Sequence, residues 1–370
     1  MVDTTSGTDT APLRKHRRWR RRLLLLGVSS LIALLLAEIA VRIGRAILDP
    51  GRLSASQLRE HVAATPPPGT TVRLGHMLRA AQNPDIVFEF VPLLDVQFQD
   101  VRVVINADGF RGPARPKTKP ERGYRIVGLG DSVLFGWGVP FEDCGLYRLE
   151  QLVQRALPES VVEAIDTAVP GYNTAMEAQV LRDKGLAYSP DLVIVDFVGN
   201  DFDLPNYLWE QPNYWALDRS FLLAVVLRGL RWRDQELHGP FVWAPADPAG
   251  NFVRDSDRVP PAYRHLVGPE AYRSAMQSIC SMGREHGFHV LVTCHHDLIP
   301  EALAICTELA VPVVQIGDRA STWLRENGHA DYFKSPLVLH ADDPHPTAIV
   351  HGFWAEAAFA RLQELGWLPR

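Results

Sequence analysis

Residues 124–138 read YRIVGLGDSVLFGWG. The run 125–129 is largely apolar and of strand length, Gly128 and Gly130 flank a tight turn, and Val133, Leu134 and Phe135 resume the apolar pattern beyond Ser132. A serine on such a strand-to-helix turn exposes its hydroxyl while a backbone N–H faces the same space. Working outward, four more Val/Ile/Leu-rich runs follow at 161–168, 192–198, 289–294 and 311–316. Near-continuous apolar runs of this length suit strands buried on both faces of a parallel sheet. Helical segments lie between them. Leu146, Leu149, Leu152, Val153 and Leu157 recur at helical spacing, and Pro158 follows as a stop signal. Thr174-Ala175-Met176-Glu177 has the form of a capping box, and 271–285, 301–309 and 347–365 fill the remaining helical slots. The alternation predicts an α/β domain, an open parallel sheet of about five strands covered on both faces.

In such sheets ligands sit beyond the carboxyl ends of the strands. Ser132 follows the first strand, Gly171 the second, and Gly199-Asn200-Asp201 the third. The glycine lets backbone approach a ligand, and the asparagine amide can donate to a developing oxyanion. Near the C-terminus Asp342-Asp343-Pro344-His345-Pro346 enters the last predicted helix. Asp342, three residues before His345, is expected to hold its Nδ1–H and set the tautomer. His295, His296 and Asp297 follow the fourth strand, and His295, His296 and Trp137 are expected at the cleft rim as substrate-binding residues. No third ligand stands at matching spacing, so no metal is expected there, and no cofactor is expected either. Taken singly, each of these residues reads as an ordinary turn or helix cap. A nucleophile, two oxyanion donors and a base pair at successive strand ends are an improbable coincidence.

The set resembles the SGNH/GDSL hydrolase superfamily over about residues 121–370. Its GDS motif is matched by Gly130-Asp131-Ser132, its second-block glycine by Gly171, its third-block asparagine by Asn200 and its DxxH motif by Asp342 and His345. The resemblance implies Ser132 as nucleophile, His345 with Asp342 as base, and an oxyanion hole from Ser132, Gly171 and Asn200. In one departure, Val198 stands where the family pattern GxND has its first glycine. The GxSxG elbow of α/β-hydrolases is absent, because Leu134 occupies its last glycine position. A flavodoxin-like three-layer α/β/α sandwich is implied, together with a serine esterase acting on O-acyl carbohydrate or lipid through an acyl-enzyme. An envelope polysaccharide O-acyltransferase using the same site, and a non-catalytic binding module of this fold, are the competing functions. The complete residue set argues against the module.

The 370 residues are 46% hydrophobic and 22% charged, and the formal charge of -5 points to no nucleic-acid partner. Arg14, Lys15, Arg17, Arg18, Arg20, Arg21 and Arg22 crowd directly before the apolar stretch 23–43. As a helix that stretch reaches roughly 30 Å, enough to cross a bilayer core. Glu38 interrupts it, at a cost of about 3 kcal/mol for a carboxylate at mid-membrane. The predicted organisation is a basic cytoplasmic tail (1–22), a single-pass membrane anchor (23–44), a β-rich linker (45–120) with strands at 86–91 and 96–105, and a hydrolase domain (121–370). The cations place that domain outside the cytoplasm. Secretion after signal cleavage is the alternative, although the arginine of Gly44-Arg45-Ala46 suits a cleavage site poorly. A cap-like insertion at about 202–268 carries Trp209, Trp215, Trp232 and Trp243. Its run 219–233 reads either as a lid helix or as a segment on the membrane surface. Cys144, Cys280, Cys294 and Cys306 lack CxxC or Cys/His spacing and are expected as small buried apolar residues.

Overall fold

A computed structural model describes residues 11–48, 67–205, 207–209, 215, 220, 222–223, 226, 241–243 and 259–369. Trp232 and most of the run 219–233 lie outside the described residues. The chain divides into two compact units, 1–54 with 211–236, and 55–210 with 237–370.

In the first unit one helix runs from Ala11 to Leu48. Its stretch Arg21–Gly44 is long and apolar enough to cross a membrane, and its leucines remain exposed. A span of this kind near the N-terminus is that of a membrane anchor or a signal sequence.

The second unit begins with short strands: β1 (Thr70–Thr71), β2 (Leu78–Ala80), β3 (Phe88–Phe90), β4 (Leu94–Phe98) and β5 (Val101–Ile105). β2 pairs antiparallel with β3, and β1 runs parallel to β4. The single strand expected over 96–105 is instead broken at residues 99 and 100 into the hairpin β4–β5. Gln99 and Asp100 both take positive φ (50° and 61°), the two-residue turn whose twist matches that of the flanking strands.

The strands of the α/β body are β6 (Gly123–Leu129), β7 (Val161–Asp166), β8 (Leu192–Asp196), β9 (Tyr207–Trp209), β10 (Phe241–Trp243), β11 (His289–Cys294), β12 (Val313–Gln315), β13 (Val338–His340) and β14 (Asp343–Pro346). Five of them form one sheet in the order β12-β11-β8-β6-β7, every neighbour parallel. This is the flavodoxin order, with its reversal between β6 and β8. Helices Gly145–Ala156 and Ala348–Leu365 pack together, as do Thr174–Asp183 and Pro269–His286. Right-handed crossovers put the two pairs on opposite faces. β9 and β10 form a separate antiparallel pair at the base of the insertion.

Local details depart from expectation. The cap of helix Thr174–Asp183 is Asn173, whose side chain accepts the Met176 N–H at 3.1 Å, so Thr174 is the first helical residue. Helix Gly317–Glu326 went unpredicted. Cys144, Cys294 and Cys306 are buried free thiols, and Cys280 is half-buried.

Arg125 on β6 is fully buried. It pairs with Glu163 on β7 (2.8 Å) and donates to the carbonyls of Pro116 (2.6 Å), Lys117 (2.8 Å), Thr118 (3.1 Å) and Tyr188 (2.7 Å). The sheet is thereby tied to the chain that enters it. Replacing Arg125 by Met would leave a buried carboxylate and four carbonyls without their donor. Urea denaturation should show a loss of about 3–5 kcal/mol; a loss under about 1 kcal/mol would show that the cluster is dispensable.

Candidate active site

Beside the strand-order reversal, three segments converge at the carboxyl end of the sheet. After β6, the Asp131 carboxylate accepts the Val133 N–H at 2.9 Å and caps the one-turn helix Ser132–Phe135. Gly130 has to be small, because a Cβ there would lie 2.7 Å from Leu134 Cβ. After β7, the Val169 N–H donates to the Gly130 carbonyl at 3.2 Å, which runs this segment alongside the Ser132 turn. Gly171 follows, buried, with a φ of 88° that a side chain would strain. After β8, Asp201 accepts the Val198 N–H at 2.6 Å and closes the turn Gly199–Phe202. That turn directs the Asn200 amide onto Asp131 at 3.0 Å. Val198 is extended (φ -124°), a conformation open to any residue, so its departure from glycine costs nothing here.

The fourth contribution comes from the hairpin β13–β14. Its His345 lies with Nε2 2.8 Å from Ser132 Oγ. The partner of Nδ1 is Asp343 Oδ1, at 2.5 Å, and not Asp342. Asp342 occupies the exposed hairpin turn. On a strand, residues two apart share a face, so 343 and 345 meet where a three-residue offset cannot. Trp137 completes the arrangement. Its indole stacks on the His345 ring (centroids 4.7 Å, planes 13° apart), and its Nε1–H donates to Asp343 Oδ2 at 3.1 Å.

These contacts set the charges. Partial burial pushes the Asp343 carboxyl up, but hydrogen bonds from His345 and the Trp137 indole, with the attraction of the imidazole, outweigh it and hold it below its ordinary value. Asp343 thus stays ionised at neutral pH. With Nδ1 carrying the proton toward this carboxylate, Nε2 is left to accept the Ser132 hydroxyl. Asp131 is shifted the other way, because complete burial raises it more than the Val133 N–H and the Asn200 amide lower it.

Residues 129–266 match the family model described as the GDSL-like Lipase/Acylhydrolase family. The matched stretch holds Ser132, Gly171 and Asn200, and His345 lies beyond it. Among solved structures, the chain is similar to a two-domain esterase (CEX) active on acetylated mannans, at 14% identity and a TM-score of 0.41, over 66% of this chain. The chain spans about half the length of that esterase, 49%. It is also similar to the lipase/acylhydrolase from Enterococcus faecalis (15% identity, TM-score 0.37, 65% of this chain and 96% of that one). A third similarity is to Axe2, an acetylxylan esterase from Geobacillus stearothermophilus (13%, 0.37, 68% and 99%). No curated protein sequence matches the chain.

Of the three residues expected at the cleft rim, His295 is the one the structure turns inward. His295 is buried, flat against Trp354 (centroids 5.8 Å), with Nδ1 3.2 Å from Asp196 but out of line for a hydrogen bond. Asp196 is itself held by Thr293 Oγ1 (2.6 Å) and the Trp354 indole N–H (2.8 Å). The last four residues of β11 are buried, and His295 continues that buried run. His296 is exposed and lies edge-on to Tyr332 (4.8 Å). Trp137 spends its ring face and its N–H on the His345–Asp343 pair.

Sequence reading missed two residues. Asp343 was legible: Asp343 precedes Pro344 and His345 precedes Pro346, and a residue before proline is pushed toward extended backbone. Arg111 left no such signal. Its buried guanidinium donates to the carbonyls of Phe135, Gly136 (2.8 Å) and Val139 (2.7 Å), clamping the loop that follows the helix Ser132–Phe135. Its backbone bridges Ile105 of β5 and Asp166 of β7. Beside it, burial pushes the Asp166 carboxyl up to about 7.

The shared Nδ1 proton provides a check. A downfield imidazole proton resonance should be present in the wild type, survive Asp342→Ala and vanish in Asp343→Ala. Loss in the Asp342 variant with retention in the Asp343 variant would reverse the assignment.

Proposed function

We propose that the chain is a serine esterase that cleaves carboxylic esters through an acyl-enzyme on Ser132. The observation that carries this reading is the hydrogen-bonded line from Asp343 through His345 to Ser132, with contacts of 2.5 and 2.8 Å. The Ser132 oxygen attacks the ester carbonyl as its proton passes to His345 Nε2. The imidazolium so formed is stabilised by the Asp343 carboxylate and by the indole face stacked on it. The oxyanion is bound by the Ser132 N–H, the Gly171 N–H and the Asn200 amide, each worth about 3–4 kcal/mol in such sites. His345 then protonates the leaving alcohol, which departs and leaves the acyl group on Ser132. A water molecule gives its proton to the same nitrogen, attacks the acyl carbonyl and releases the acid. The Ser132 oxygen recovers its proton in that step. The substrate class is O-acyl carbohydrate or lipid, met at a membrane to which Arg21–Gly44 anchors the enzyme. The basic run before that helix supports an extracytoplasmic catalytic domain.

On p-nitrophenyl acetate, Ser132→Ala and His345→Ala should each lower kcat by at least about 10⁴-fold. Asp343→Asn should lower it about 10²–10⁴-fold, and Asp342→Asn within about threefold. A fluorophosphonate should label Ser132 in the wild type alone. Retained turnover in Ser132→Ala would exclude the acyl-enzyme.

A further inference from the structure

A carboxylate on an apolar helix of membrane length is costly unless it is fully paired. Glu38 is paired in a specific way. Oε1 accepts from Arg42 Nε at 2.7 Å, and Oε2 accepts from Ser220 Oγ and from the Leu222 N–H, both at 2.8 Å. Ser220 Oγ in turn accepts the Leu223 N–H at 3.1 Å, so it caps the helical turn that Glu38 holds. Two of the donors on this carboxylate therefore come from a segment far away in sequence, within the same compact unit as the N-terminal helix.

That segment is the start of the apolar run FLLAVVL at 221–227, flanked by Arg219 and Arg228. Leu223 and Val226 are 56% and 50% exposed, and Leu31, Leu34 and Leu35 of the N-terminal helix are likewise exposed. An apolar run of this length would rise only about 12 Å even as a helix, against a hydrocarbon core of roughly 30 Å. The run is too short to cross a bilayer. Glu38 lies about 9 Å along the helix from the Gly44 end of the span, which sets the depth of anything docked on it. Arginines on both sides match the headgroup level beside an apolar segment.

We propose that Leu222, Leu223 and Val226 make a second membrane contact, seated in the lipid leaflet at the Gly44 end of the N-terminal helix and docked to that helix through Glu38 and Ser220. The inference rests on that helix being a membrane anchor. Its occupant is lipid, because the exposed apolar residues continue those of a helix of membrane length. Since 211–236 is an excursion between the paired strands β9 and β10, the bilayer would hold the chain at a second point, within the sequence of the hydrolase domain.

Full-length protein in phosphatidylethanolamine/phosphatidylglycerol vesicles containing a diazirine-tailed phospholipid tests this. After photolysis and trypsin digestion, the peptide 220–228 should carry lipid adducts alongside the peptide 23–42. Glu38→Leu should lower labelling of 220–228 about tenfold, the equivalent of one to two lost hydrogen bonds, and Glu38→Gln, which keeps an acceptor, should retain it. Labelling of 23–42 without 220–228 would overturn the second contact and mean that protein covers the run. Equal labelling in Glu38→Leu would overturn the docking through Glu38. An unlabelled 23–42 would overturn the anchor reading itself, and the second contact with it, while leaving the esterase assays untouched.

Discussion

The contact between Ser132 Oγ and His345 Nε2, 2.8 Å long, joins residues 213 positions apart. A hydrogen bond of that kind contributes only about 1 kcal/mol net, far too little to bring the two ends of a chain together. The packing has to do so. The sheet order puts the end of β6 at the reversal, and Ala348–Leu365 packs against Gly145–Ala156, the helix that follows the Ser132 loop. The hairpin β13–β14 enters that last helix directly, so its His345 is delivered by the same burial that stabilises the domain. Trp137 then removes the remaining freedom of the imidazole by stacking on it while bonding its carboxylate.

The residues before the sheet serve the same end. Phe90 and Phe98 pack on Phe135 at 5.3 and 6.4 Å, and Phe98 meets the Trp137 ring edge-on at 4.8 Å. The Tyr172 hydroxyl, one residue beyond Gly171, donates to the Phe88 carbonyl at 2.5 Å. With the Arg111 clamp, these contacts make the β-rich segment a brace for two of the loops proposed to form the oxyanion hole. Its aromatic residues contribute burial, and its arginine satisfies carbonyls that a loop without helix or sheet partners would leave open.

Beneath the Asn200 loop lies a group of buried acids. Burial first, then the neighbouring carboxyls, raise Glu177 and Asp201 well above their ordinary values. Neither Glu177 oxygen has a hydrogen-bond partner among the described residues. Neutral carboxyls are the form such a site favours, since two charges at that depth would repel without solvent to screen them. Asp201 can then hold the Val198 N–H without adding a charge to this buried group.

Sequence by itself determined the α/β class, because long Val/Ile/Leu runs alternating with helical periodicity can be buried in few ways. It also placed Ser132, Gly171, Asn200 and His345 at chain positions just beyond strands or near the last helix, since local turn chemistry and motif spacing are properties of consecutive residues. The hairpin that pairs Asp343 with His345 was within reach through its two prolines, but the assumption of a helix entry concealed the period of two. Tertiary structure alone decided three things: that His295 faces inward, that Trp137 serves the imidazole, and that Arg111 grips a loop more than twenty positions away. Each depends on which surfaces meet across the fold, and burial and long-range pairing leave no trace in the spacing of neighbouring residues.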